Sequence, residues 1–217
     1  MRNFAVALRY RSIAILMIAF TAILASVSFS EVVVIFDEDE KDEAGNGNFV
    51  GVFVSHDAGS TVTVTEKDSI SGKVSAFCTP SQSYNNAIGG WSYPIAENEY
   101  RYMTFAWKKD GGTGIMIQFA YDNTWAYRYF SGVNVTDWPG IQLEDDIPED
   151  WMVYTRDLVK DFGGGWNLTG IALTPWNGKG GYYDYILIHT EEGEGRIAQI
   201  AVEPRGKLAT VWARLKQ

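Results

Sequence analysis

The stretch Tyr100-Arg101-Tyr102-Met103-Thr104-Phe105-Ala106-Trp107-Lys108 decides the fold class. A strand's period of two sends Met103, Phe105 and Trp107 to one face. Tyr102, Thr104 and Lys108 fall on the other. An apolar face backed by a mixed one marks a strand half-buried against a core.

Outward from it the same pattern recurs. Short runs rich in Val, Ile, Thr, Tyr and Trp occupy 32–36, 50–55, 61–66, 74–79, 114–121, 125–131, 152–156, 168–174 and 183–190. Turn residues separate them: Gly45-Asn46-Gly47, Asp57-Ala58-Gly59, Asp110-Gly111-Gly112, Gly163-Gly164-Gly165 and Asn177-Gly178. No long helical periodicity interrupts these runs. About ten strands without intervening helices predict an all-β, antiparallel two-sheet sandwich.

Both ends of the chain differ from this body. Arg2, Arg9 and Arg11 precede an apolar run over 12–29, and Ser28 and Ser30 offer small residues before Glu31. A charged start, an apolar middle and a small-residue cut site predict a signal peptide over 1–30, with export to the periplasm or the exterior. An uncleaved anchor is the alternative; after cleavage no further membrane span is expected. The sandwich is expected over 31–195. Beyond it, 196–217 is basic, with Leu208, Val211, Trp212 and Leu215 on one helical face. This tail is read as a short packed helix or as a docking segment for a protein partner.

The charge balance is 18 Lys and Arg against 27 Asp and Glu, for a formal net charge of −9. A body this acidic repels nucleic acid. The single cysteine, Cys78, excludes an internal disulfide framework and a Cys-based zinc site. Beside Thr79-Pro80 it reads as a small core residue. His56 and His189 are the only histidines, and neither a nucleophile elbow nor a His-Glu-x-x-His motif is present. The acidic run Asp37–Glu43 places Gly45 where a sandwich-fold glucanase would need its second glutamate. The domain is therefore read as no enzyme, with glycoside hydrolysis the weaker alternative.

Eight Trp and twelve Tyr are the positive signal. Sugar rings present apolar C–H faces that stack on aromatic side chains. Alternation in 125–129 puts Trp125, Tyr127 and Tyr129 on one face, opposite Ala126 and Arg128. Trp91 and Tyr93 follow Gly89-Gly90, Trp138 precedes Pro139-Gly140, and Trp176 precedes Asn177-Gly178. These seven are the candidate carbohydrate-binding residues. Either polysaccharide is the partner, or the domain serves adhesion or assembly by binding protein.

Four stretches carry a resemblance. They are Ile35-Phe36-Asp37-Glu38, Asp68-Ser69-Ile70-Ser71-Gly72-Lys73-Val74-Ser75, Trp151-Met152-Val153-Tyr154-Thr155-Arg156-Asp157-Leu158 and Tyr182-Tyr183-Asp184-Tyr185-Ile186-Leu187-Ile188. In this order they resemble secreted β-jelly-roll modules of the galactose-binding-like superfamily, the fold of many carbohydrate-binding modules. Segments 100–109, 151–163 and 168–175 also resemble a domain common in large secreted bacterial proteins. The resemblance implies a bacterial source and a structural Ca²⁺ ion tying the first strand to the last. The positions it points to are Asp37 or Glu38, and Asp184.

Overall fold

The computed structural model describes residues 31–37, 60–80, 86–122, 124–134, 136 and 138–195. The expected signal peptide, Glu38 with the rest of the acidic run, the strand at 50–55, His56 and the basic tail lie outside the described residues.

Eleven strands among the described residues build two sheets. They are β1 Val32–Phe36, β2 Val62–Thr65, β3 Ser75–Cys78, β4 Asn86–Ile95, β5 Tyr102–Asp110, β6 Gly114–Tyr121, β7 Thr124–Gly132, β8 Ile141–Glu144, β9 Met152–Asp157, β10 Trp166–Trp176 and β11 Gly180–His189. One short helix, α1, spans Leu158–Phe162. The six-stranded sheet runs β2-β3-β11-β5-β9, with β1 continuing beside β11 where β3 leaves off. The five-stranded sheet runs β4-β10-β6-β7-β8. The fold is the jelly-roll sandwich that the strand pattern and the resemblance predict.

The decisive alternation holds. Met103, Phe105 and Trp107 are fully buried, and from the opposite sheet Ile115, Ile117, Phe119, Leu168, Ile171 and Leu173 meet them. Each inward side chain of this size contributes about 1.5–3 kcal/mol by leaving water. Cys78 sits in this core, as expected, with its thiol 3.7 Å from the Leu173 carbonyl.

Helix α1 closes one open side of the sandwich. Asp157 caps it by accepting from Lys160 N at 3.0 Å, while its other oxygen holds Arg101. The buried Leu158 and the ring of Phe162 then face the core.

Two elements depart from the sequence expectations. β4 runs through Gly89-Gly90 and Pro94, residues that punctuate most strands; a bulge between Gly89 and Tyr93 takes up the glycines, and Pro94 is tolerated because β4 lies at the sheet edge. β8 lies parallel to β7, not antiparallel. Gly132, which ends β7, has φ +74° and packs where a Cβ would lie 2.3 Å from the Thr113 carbonyl oxygen, so only glycine fits there.

Candidate functional site

The outer face of the five-stranded sheet is built from every second residue of β6, β7 and β10. Directly paired residues of neighbouring strands share a face. Arg128 pairs with Gln118, Gln118 with Ala172, and Met116 with Thr174. These positions alternate with the core residues Ile117, Phe119, Ile171 and Leu173, so they turn away from the core. The row mixes Arg128, Gln118 and Thr174 with Met116 and Ala172, all five are buried, and Gln118 Nε2 donates to Thr174 Oγ1 at 3.0 Å.

Trp125 joins this face through an irregularity. Tyr127 pairs with Phe119, but Trp125 pairs with Ala120, so Ala126 is an extra residue on β7. A bulge shifts side-chain parity by one. Trp125 therefore lies on the outer side with Gln118 and Arg128, and not with Tyr127 and Tyr129 as simple alternation predicts. At the other end of the face, Trp176 pairs with Gly114, six positions along β6 from Ala120. At about 3.4 Å per residue, the two half-buried tryptophans stand roughly 20 Å apart along the strand direction.

Trp138 contributes the third indole, and its loop folds over Arg128. Asn134 organises that loop: its Oδ1 accepts from Thr136 N and Oγ1, and its Nδ2 donates to the Trp138 carbonyl at 2.8 Å. Gly140 then passes so close that a Cβ there would lie 2.5 Å from Arg128 Cγ. Arg128 Nη1 donates to Thr136 Oγ1 at 2.5 Å, and its guanidinium carbon sits 5.3 Å from the Trp138 ring centroid. Trp138 itself is 56% exposed.

The remaining four aromatic candidates pack toward the interior. Tyr129 is fully buried, donates to Asp161 Oδ2 at 2.7 Å and lies under Arg156. Burial and that acceptor push its phenol well above the ordinary range. Tyr127 stacks on Phe162 at 4.7 Å and touches Trp166. Trp91 and Tyr93 pack against the core and each other, and Tyr93 meets Tyr100 edge-on. Their large apolar area stabilises the edges of the sandwich. The structure thus assembles Trp125, Trp138 and Trp176 on one face and separates the other four from it.

The six-stranded sheet holds the polar groups that the family-like stretches contribute. The turn at 68–73 folds over β11, where Asp184 lies fully buried. Asp184 Oδ2 accepts from Ile70 N at 2.9 Å and Ser71 N at 3.2 Å, and Oδ1 accepts from Tyr185 N at 2.8 Å. Tyr185 has φ +54° in a bulge of β11, and this bond pins it. Burial pushes the Asp184 carboxyl up to about 7, with the like charge of Asp37 adding to the effect, although the three amides oppose it. The end of β1 and the middle of β11 therefore bring Asp37 and Asp184 under each other's influence.

Beside them, Asp68 accepts from Lys108 Nζ at 2.7 Å and from Trp151 Nε1 at 2.8 Å. A cavity of 410 Å³ opens here between Asp68, Lys108, Asp110, Glu149 and Tyr182. Its central charges already have partners. Lys109 had no sequence signal of importance, yet it is 1% exposed. Its Nζ donates to the carbonyls of Gly111 at 2.6 Å, Asn177 at 2.8 Å and Gly180 at 3.0 Å, clasping two turns together. Desolvation lowers its pKa to about 8. His189 is buried as well, bonded to Thr104 at 3.0 Å and to the Glu191 carbonyl oxygen at 2.7 Å.

No protein-family model matches the chain. No curated protein matches it either. Among solved structures it is similar to a mutant of CBM29-2, a family 29 carbohydrate-binding module, at 13% identity and a TM-score of 0.42, covering 80% of this chain and 100% of that one. A family 29 module from Piromyces equi has 12% identity and a TM-score of 0.36, over 76% of this chain and 93% of that one. The CBM22-1 xylan-binding domain of Paenibacillus barcinonensis Xyn10C has 14% identity and a TM-score of 0.34, over 63% and 85%. These are likenesses of fold; function rests on this chain's own residues.

Proposed function

We propose that the domain is a secreted, non-catalytic carbohydrate-binding module whose ligand lies along the outer face of the five-stranded sheet. One observation carries this reading: three indoles, Trp125, Trp138 and Trp176, border one sheet face, with Trp138 56% exposed and the Arg128 guanidinium 5.3 Å from its ring. Indoles take the apolar faces of sugar rings, and a guanidinium beside them hydrogen-bonds ring substituents. Affinity gel electrophoresis against a panel of soluble polysaccharides tests it. Retardation on at least one polymer, reduced by Trp125→Ala and by Trp176→Ala with unchanged melting curves, is the expected result. Unretarded migration on every polymer overturns the reading.

A structural calcium ion is part of the same proposal. Two carboxylates approach, one oxygen of Asp37 is fully buried, and Asp184 Oδ1 accepts only one of the two bonds it has room for. This oxygen-only donor set suits calcium, with carbonyls and water completing about 6–8 ligands. The ion would compensate the repulsion between Asp37 and Asp184; those two residues would hold it.

A further inference from the structure

Among the described residues the buried and partly buried cations are compensated, with one exception. Arg101 Nε and Nη2 hold Asp157, and Arg156 grips Asp161 through two bonds. Lys108 pairs with Asp68, and Lys109 has its three carbonyls. Arg128 is 1% exposed, and none of the ion pairs among the described residues includes it. Its Nε–H makes no hydrogen bond. Its partners are a neutral hydroxyl, Thr136, and the π-face of Trp138. A buried guanidinium without a carboxylate is costly, and desolvation pulls its pKa below the ordinary arginine value.

We propose that the outer face of the five-stranded sheet selects acidic glycans, polysaccharides that carry uronic acid carboxylates, and that Arg128 is the residue that binds the carboxylate. This rests on the carbohydrate-binding reading and narrows its substrate class. A guanidinium presents paired N–H donors that match the two oxygens of a carboxylate, and such charge-assisted pairs are about twice as strong as neutral hydrogen bonds. A carboxylate that reaches this position outcompetes the hydroxyl and the ring that hold it now. Trp138, more than half exposed beside it, offers a stacking surface to the same sugar ring. Gln118 and Thr174 are buried and bonded to each other, so Arg128 and Trp138 are the groups left to meet the ligand. Long-range charge acts the other way: the net charge of −9 repels a polyanion. Moderate salt should therefore strengthen binding by screening that repulsion, while the desolvated pair is screened far less.

The test uses polygalacturonate, alginate and glucuronoxylan, each beside its carboxyl-reduced form, which keeps the linkages and loses the charge. The expected result is at least about tenfold tighter binding to one acidic polymer than to its reduced partner, as a charged hydrogen-bonded pair provides. Arg128→Met should abolish that preference while leaving the melting temperature unchanged or raised, because it removes an uncompensated buried charge. Arg128→Lys should keep only part of the preference, having lost the two-pronged geometry. Equal affinity for acidic and reduced polymers overturns this inference and leaves carbohydrate binding standing. Failure to bind any polymer, acidic or neutral, overturns both.

Discussion

Raising the pH from about 4 to about 8 should weaken the domain through a single carboxylate, Asp184. In the unfolded chain it titrates near 3.8, and in the fold near 7. Between those values the folded state holds a proton that the unfolded chain has released. Stability contributed this way is fully present below the lower value and is lost as pH rises through the higher one. At about 1.4 kcal/mol for each pH unit between the two, the loss reaches about 4 kcal/mol. Asp184 is fully buried, so solvent does little to discount this figure. With roughly 2–4 °C per kcal/mol for a domain of this size, melting should fall by on the order of ten degrees. Other groups titrate over the same range, so the comparison is between wild type and Asp184→Asn. The amide sets an N–H donor against the backbone donors of Ile70, Ser71 or Tyr185, costing about 1–3 kcal/mol at every pH. Its melting curve should therefore start lower and lack the decline. Calcium gives the second arm. An ion shared by Asp37 and Asp184 favours the ionised form, so saturating calcium should lift the wild-type curve above pH 7, by about 2.7 kcal/mol at a hundredfold excess over Kd. Chelator should restore the decline. Parallel pH profiles for wild type and Asp184→Asn would refute the assignment of a raised carboxyl to this site. A calcium response that survives in the variant would remove Asp184 from the ion.

Other substitutions separate scaffold from face. Tyr129→Ala should cost about 3–5 kcal/mol in denaturant unfolding, since it empties a core position and removes the hydroxyl that donates to Asp161. Trp125→Ala should stay within about 1 kcal/mol of wild type while losing polysaccharide retention. Lys109→Met takes the donor from three turn carbonyls, that of Gly180 buried, so urea unfolding should show a loss of about 1–3 kcal/mol. Gly140→Ala drives a methyl group into the Arg128 side chain, and a loss of about 1–3 kcal/mol by thermal melting is expected, together with weaker retention on gels.

How much of this was legible in the sequence depended on the range of the interaction. Period two is local, so β5, β6 and the inward set Met103, Phe105 and Trp107 could be read directly. β4 was hidden because Gly89-Gly90 and Pro94 carry the local signal of a turn, which pairing with β10 overrides. The aromatic site was half legible. Alternation grouped Trp125 with Tyr127 and Tyr129, but the extra residue at Ala126 reverses the parity, and only the pairing with β6 reveals it. Alternation sets Arg128 opposite the aromatics and assigns it no role. Its significance lies in being buried without a carboxylate, a property of the folded neighbourhood that no spacing encodes. Lys109 was silent for the same reason: its clasp depends on the 177–180 turn, some seventy residues further along the chain.

The family-like stretches have a physical meaning of their own. All four fall on the six-stranded sheet: β1 with Asp37, the 68–75 turn, β9 with its Trp151 lead-in, and β11 with Asp184. There they meet one another, since Trp151 and Lys108 hold Asp68 while Ile70 and Ser71 hold Asp184. These residues fix how a turn packs over a sheet, and a buried carboxylate that organises three amides tolerates little substitution. The opposite sheet carries the tryptophans and Arg128 on β7, on β10 and in the β7–β8 loop, none of them within those motifs. Binding specificity can thus vary on one sheet while the other keeps the fold. Substitutions at Asp68 or Asp184 should therefore move melting temperature with little effect on ligand preference, and substitutions at Trp125 or Arg128 should do the reverse. Chimeras exchanging the outward residues of β6, β7 and β10 with those of another jelly-roll module would carry the preference with them, and retention of the original preference would place the ligand elsewhere.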